Sequence, residues 1–162
     1  MADHGFFSTT AAAPHYLFFG VGMRILLSPA QTSGQFALVE GIMPAHGDGG
    51  LHVHHRDDKS MTILEGTLEV TIGEETGLLG EGDSYFAPRG VPHRLRNPGP
   101  GAMRSLLIAT PGEFAAFIAE AAVSLNGTPS PDAEIRPSID DMERIDRLTQ
   151  KYGIEMLSPP AG

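Results

Sequence analysis

Two histidines, His52 and His54, stand one residue apart in the run Leu51-His52-Val53-His54-His55. On a strand, residues i and i+2 project from one face about 7 Å apart, so two imidazoles placed this way can converge on a single ion. His55 then points to the opposite face. Such a pair on its own is more often surface or core decoration. A second stretch runs Gly82-Asp83 … Pro88-Arg89-Gly90-Val91-Pro92-His93 … Asn97, and its glycines and prolines turn the chain so that a third histidine can approach the first two. Between the stretches lies Lys59, one of only two lysines in the chain. An inward ammonium there would repel a divalent cation.

The surrounding text reads as strands separated by turns. Phe36–Met43 alternates on a two-residue period, with Phe36, Leu38, Glu40 and Ile42 on one side and Ala37, Val39 and Met43 on the other. Further strands are expected at 24–27, 52–55, 60–64, 67–72, 84–87, 93–96 and 103–109, with a hairpin connection over Gly73–Gly77. Residues 1–20 read as an irregular arm. The last third changes character. Phe114, Phe117, Ile118, Ala121, Ala122 and Leu125 recur at helical spacing, which predicts a helix over 113–125 with Asn126-Gly127 as its cap. Thr128–Pro137 reads as a linker. Ser138 and Asp141 resemble a capping box for a second helix, whose apolar stripe is Ile139, Met142, Ile145 and Leu148 and whose stop falls near Tyr152-Gly153.

Composition bounds the function. The 162 residues carry a net charge of −9, with 19% charged and 41% hydrophobic residues. That acidity argues against nucleic acid, which needs clustered Lys and Arg to displace counterions. The chain has no cysteine, which excludes disulfides and thiolate chemistry together. No apolar run approaches the roughly 20 residues of a membrane span, and no basic segment followed by a long apolar one opens the sequence. A cytoplasmic protein acting on a small molecule is therefore the expectation, with no membrane and no nucleic acid as partner. The 20 glycines and 13 prolines suit many short strands and tight turns.

Both histidine stretches resemble the motifs of the cupin superfamily. The second motif of that family is Gly, five residues, Pro-x-Gly, two residues, His, three residues, Asn; Gly82, Pro88, Gly90, His93 and Asn97 fill every position. The first contains His-x-His, four residues, Glu, six residues, Gly. Here His52, His54 and Gly66 match, Lys59 stands where Glu belongs, and the leading Gly position falls on His46. The resemblance covers roughly residues 35–110. It implies an all-β fold, a double-stranded β-helix (jelly-roll barrel) with C-terminal helices. The divisions expected are an N-terminal arm and first strand (1–34), a barrel core (35–110) and a C-terminal helical extension (111–162).

By the same resemblance, His52, His54 and His93 are the expected ligands of one divalent transition metal (Fe, Mn, Ni, Co or Zn). His46 and Asp58 are possible extra ligands, although strand parity opposes Asp58. Lys59 and Glu40 are candidate acid–base groups, against the ordinary readings of a snorkelling Lys and an outward Glu. Phe36, Leu38, Met61, Ile63, Phe86 and Leu95 are expected to line the pocket. Among single-barrel cupins the pattern is most similar to the quercetin 2,3-dioxygenase-like group, which implies a dioxygenase acting on a flavonol-type aromatic substrate. The alternatives are a metal-dependent, non-oxidative cyclase or isomerase of polyketide-type substrates, and a non-catalytic small-molecule-binding cupin. A homodimer is implied by resemblance alone.

Overall fold

The computed structural model describes residues 4–125 and 139–158. In chain order the strands are β1 (His15–Phe18), β2 (Val21–Leu27), β3 (Ala37–Met43), β4 (His52–His54), β5 (Asp58–Glu65), β6 (Leu68–Ile72), β7 (Glu75–Leu79), β8 (Ser84–Ala87), β9 (His93–Arg96) and β10 (Met103–Thr110). Helix α1 (Glu113–Ala121), β11 (Val123–Leu125), α2 (Ile139–Lys151) and β12 (Ile154–Met156) complete the chain.

Two antiparallel sheets face each other, the double-stranded β-helix of an all-β jelly roll. One has seven strands in the order β11-β1-β2-β3-β10-β5-β8; the other has five, β12-β4-β9-β6-β7. Strands distant in sequence, such as β3 and β10, lie side by side because between them the chain passes repeatedly from one sheet to the other. Glycine permits the reversals. Gly66, after β5, holds φ +83, and a Cβ there would stand 3.1 Å from the Ala102 carbonyl oxygen. Asn97 staples the far end: its side-chain amide donates to the carbonyls of Pro44 and Gly101, and its Oδ1 accepts from Gly99 N–H.

The core forms between the sheets from inward residues of β3, β5, β6, β8 and β10, among them Val39, Ile63, Leu68, Ala87 and Leu107. Helix α1 closes one end by burying Phe114, Phe117 and Ile118. Each fully buried apolar side chain of this size contributes roughly 1.5–3 kcal/mol.

Four local expectations are corrected. Residues 15–18 are not irregular: β1 pairs with β2 and β11. The first helix ends at Ala121, because Val123–Leu125 pairs with His15–Leu17 instead of continuing the helical stripe. Residues 75–79 form a strand paired with β6, which shortens the hairpin connection to Gly73-Glu74. On β3 the small face is inward: Ala37, Val39 and Met43 are buried, while Glu40 lies on the outer face, paired with Arg24 and Arg104. Helix α2 stops at Lys151 with Gly153 at φ +63. The Asn126-Gly127 cap, the 128–137 linker and Ser138 lie outside the described residues.

Candidate metal centre

β4 and β9 are neighbours in the five-stranded sheet, and His52 sits opposite His93 in their register. His54 follows His52 by one strand period on the same face. The result is a cluster in which one nitrogen from each of His52, His54 and His93 lies within 4.8 Å of the others. A ligand bond of about 2.1 Å to a shared ion is within reach of such a triangle. Hydrogen bonds orient two of the rings. His52 Nδ1 lies 2.9 Å from the Gly50 carbonyl oxygen and His93 Nδ1 lies 3.1 Å from that of Val91. A carbonyl only accepts, so each Nδ1 carries the proton and each Nε2 presents a lone pair. His93 Nε2 is buried with no hydrogen-bond partner.

The electrostatics suit metal ligation. Burial pushes His52 down to about 3 and His93 down to about 4, in both cases reinforced by Lys59; burial also holds His54 well below its ordinary range. All three are neutral near pH 7, the form that binds a metal. Neutral nitrogens, buried or half-buried, two of them on oriented rings and one without a partner among the described residues, fit a divalent transition ion.

Lys59 enters from the facing sheet. Its side chain is buried at 4% exposure, and Nζ stands 3.3 Å over the centroid of the Phe114 ring. The neighbours of Lys59 across the sheet are Ala87 and Ala109, whose small side chains leave it room. Burial brings its pKa down to about 7, against a smaller upward pull from Asp57. Phe114 also packs edge-on against His54, with centroids 5.3 Å apart. Its position is set by Asp57, which is buried just after the ligand strand. The Asp57 carboxylate accepts the backbone N–H groups of Gly112, Glu113 and Phe114, capping α1 from 55 residues away in sequence.

The other sequence candidates scatter. His46 is exposed and outside the histidine cluster, but it adopts φ +60, the left-handed conformation that the glycine of the motif would supply. Asp58 faces away from the cluster and is gripped at both carboxylate oxygens by Arg89. Glu40, on the outer face, cannot reach Lys59.

A cavity of about 450 Å³ opens beside His52 and His54, lined mostly by apolar side chains. Met61 and Leu95 line it. Phe36 and Leu38 do not, because β3 turns its smaller residues inward. Phe86 is 59% exposed on the outer face of β8, and Ile63 is packed into the core rather than facing the space. Residues missed from sequence include Tyr85, Phe114, Phe117 and several from the C-terminal segment, such as Ile145 and Ile154. β12 pairs directly with the ligand strand, Ile154 opposite His54 and Met156 opposite His52. Alternation on β8 could have pointed to Tyr85; nothing local points to β12.

Residues 39–109 match the family model described as "Cupin domain". These residues form a cupin domain. The fold of the chain is similar to a predicted oxalate decarboxylase from Thermotoga maritima, with TM-score 0.60 and 18% identity over 65% of this chain and 98% of that one. It is also similar to the polyketide cyclase RemF from Streptomyces resistomycificus, with TM-score 0.58 and 20% identity over 66% and 80% of the two chains. At these identities the likeness is one of fold. In sequence, 49 residues are 49% identical to the xanthan biosynthesis protein XanB of Xanthomonas campestris pv. campestris, covering 30% of this chain and 10% of that protein. The mannose-1-phosphate guanylyltransferase ManC of Salmonella typhimurium is 37% identical over 68 residues, 41% of this chain and 14% of that one. The chain thus spans only a tenth to a seventh of these curated relatives. Among the described residues no helix is long and apolar enough to cross a membrane.

Proposed function

We propose that this cupin is a metal-dependent enzyme acting on a small, ring-bearing substrate with an acidic oxygen, as a dioxygenase-like oxidoreductase on a flavonol-type molecule. The observation that carries the reading is the convergence of three neutral imidazoles, with His52 and His54 on the wall of a largely apolar cavity. His52, His54 and His93 would hold the ion. A divalent transition metal there supplies a Lewis acid that favours the deprotonated form of a substrate oxygen and, where redox-active, a route to O₂.

The chain's own residues do the rest. The Gly50 and Val91 carbonyls fix which nitrogen of His52 and of His93 is left free to ligate. Phe114 and Phe117 exclude water from the end capped by α1. Lys59, with a pKa near neutrality, can take the substrate's hydroxyl proton at Nζ and then stand as an ammonium beside the resulting anion.

That last feature supports a second reading. A lysine in the place of a carboxylate is a proton carrier suited to non-oxidative isomerisation or cyclisation. An oxygen electrode separates the two: quercetin is added to protein loaded in turn with Fe, Mn, Ni, Co or Zn. Substrate loss with stoichiometric O₂ uptake supports the dioxygenase; loss of a polyketide-type substrate without uptake supports the isomerase or cyclase. Fewer than about 0.2 metal ions per chain after metal-replete expression, with no turnover, would overturn both and leave a binding protein.

A further inference from the structure

The sheet facing the histidines carries two hydroxyls with nothing to bond. Tyr85 Oη and Ser105 Oγ are buried without a hydrogen-bond partner among the described residues, and both side chains line the cavity. Tyr85 is 9% exposed and Ser105 1%. Their inward neighbours on β3, β5 and β10 are Val39, Met61, Met103 and Leu107, which offer no acceptor beyond the weak one of a thioether, and neither hydroxyl bonds it. A buried hydroxyl left unpaired is costlier than the phenylalanine or alanine that would fill the same space, so two in one cavity call for a partner that the described residues do not supply.

Sheet register places them relative to the metal centre. Lys59, Met61 and Ile63 point inward along β5 at steps of about 7 Å. Met61 is opposite Tyr85, and Ile63 is opposite Ser105. The residues that carry the two hydroxyls therefore stand one and two steps further along β5 than Lys59, on the strands to either side of it. Gly41, across from Ser105 on β3, keeps the space open: a Cβ there would stand 3.2 Å from Ser105 Oγ.

We infer that Tyr85 and Ser105 form a second polar subsite, which holds a hydroxyl or carbonyl oxygen at the end of the substrate remote from the three imidazoles. Tyr85 acts as a donor, because burial pushes its pKa up and keeps the phenol protonated. Ser105 both donates and accepts. The ligand class that satisfies both ends is a flat molecule of two or three rings, apolar in the middle and oxygenated at opposite ends. This deepens the proposed function and rests on the same cavity being the substrate site.

The test uses naphthalene, 2-naphthol and 2,6-dihydroxynaphthalene, titrated calorimetrically into metal-free protein so that the result does not depend on the ion. In the unaltered chain the second hydroxyl should tighten binding at least tenfold over 2-naphthol. In Tyr85→Phe/Ser105→Ala that gain should fall below twofold, with each single variant intermediate and naphthalene unaffected. Gly41→Ala, which crowds Ser105, should erode the same gain. The inference is overturned if the second hydroxyl brings no gain, if the gain survives the double variant, or if none of the three compounds binds. Removing unpaired hydroxyls should leave the melting temperature unchanged or raised, so misfolding does not obscure the outcome. Metal uptake, measured separately with His93→Ala as control, reports on the metalloenzyme reading. Intact discrimination without metal uptake would sink that reading and leave the subsite standing.

Discussion

Metal affinity should rise about tenfold between pH 6 and pH 8, and Lys59 alone should be responsible. Its Nζ is 3.3 Å from the Phe114 centroid, which is 5.3 Å from that of His54. The ammonium therefore lies within about 9 Å of the His54 ring centre, where a divalent ion nearby would feel a repulsion of about 4 kcal/mol at an effective dielectric of 20. That is several hundredfold in affinity, so binding proceeds through the neutral amine. With a pKa of about 7, the neutral fraction is about 10% at pH 6, half at pH 7 and about 90% at pH 8. The imidazoles add no slope in this window, since His52 and His93 titrate at about 3 and 4 and His54 is also well below neutrality. Cobalt(II) titrations followed by ligand-field absorbance, in non-coordinating buffers at fixed ionic strength, measure the constant directly. Lys59→Met should flatten the profile at the level the unaltered protein reaches at pH 8. A flat profile in the unaltered protein, or the same slope in Lys59→Met, would refute the reasoning.

The same lysine should cost stability. Folding lowers its pKa from 10.5 to about 7, so the unfolded chain binds more protons between those values and stability climbs as pH rises through them. At pH 7 the penalty is roughly 4 kcal/mol, offset by up to about 2 kcal/mol of attraction to the Phe114 face, so Lys59→Met should gain about 2–4 kcal/mol in urea unfolding. Asp57→Ala strands three backbone donors at the start of α1 and should cost about 3 kcal/mol by the same assay, with Asp57→Asn milder. Gly112→Ala should lower the melting temperature sharply, because φ is +109 and the new Cβ would stand 2.8 Å from the Ala37 nitrogen.

How far these features could be read in advance depended on whether their cause was local. Strand parity placed His52 and His54 together, and turn chemistry bracketed β8 and β9, because both follow from residues adjacent in the chain. Alternation on 36–43 gave the period but not its sign. The larger side chains looked like the buried face, yet the cavity takes its room from Val39 and Gly41, while Glu40 bonds Arg24 and Arg104 outside. Val123–Leu125 fits a helical stripe and a strand equally well over three residues; pairing with β1 decided it, a contact more than 100 residues away. Asp57 is likewise ordinary in sequence, because the N–H groups it caps belong to residues 112–114.

Exchanging a carboxylate for an amine changes what the centre can accept. With three neutral imidazoles, a divalent ion keeps its full double charge, where an acidic fourth ligand would have halved it. Carboxylates that could have compensated are already engaged: Asp57 by α1, Asp58 by Arg89 and Asp48 by Arg94. Lys59 is the only cation among the cavity-lining residues, and the one other acid there, Asp146, is exposed on α2. Among the described residues no free carboxylate stands beside the three imidazoles, so on the proposed function the substrate would supply the neutralising charge. On the proposed function, a phenol or enol would do this without bringing a permanent charge through the cavity: it would enter neutral and give its proton to Lys59, and an ion held by His52, His54 and His93 would favour the resulting anion. A carboxylate or phosphate would have to be desolvated with its charge in place, at a cost of several kcal/mol before any contact is made. On that reading the amine at position 59 would favour weakly acidic oxygen ligands, which is why phenolic probes are the ones to titrate first.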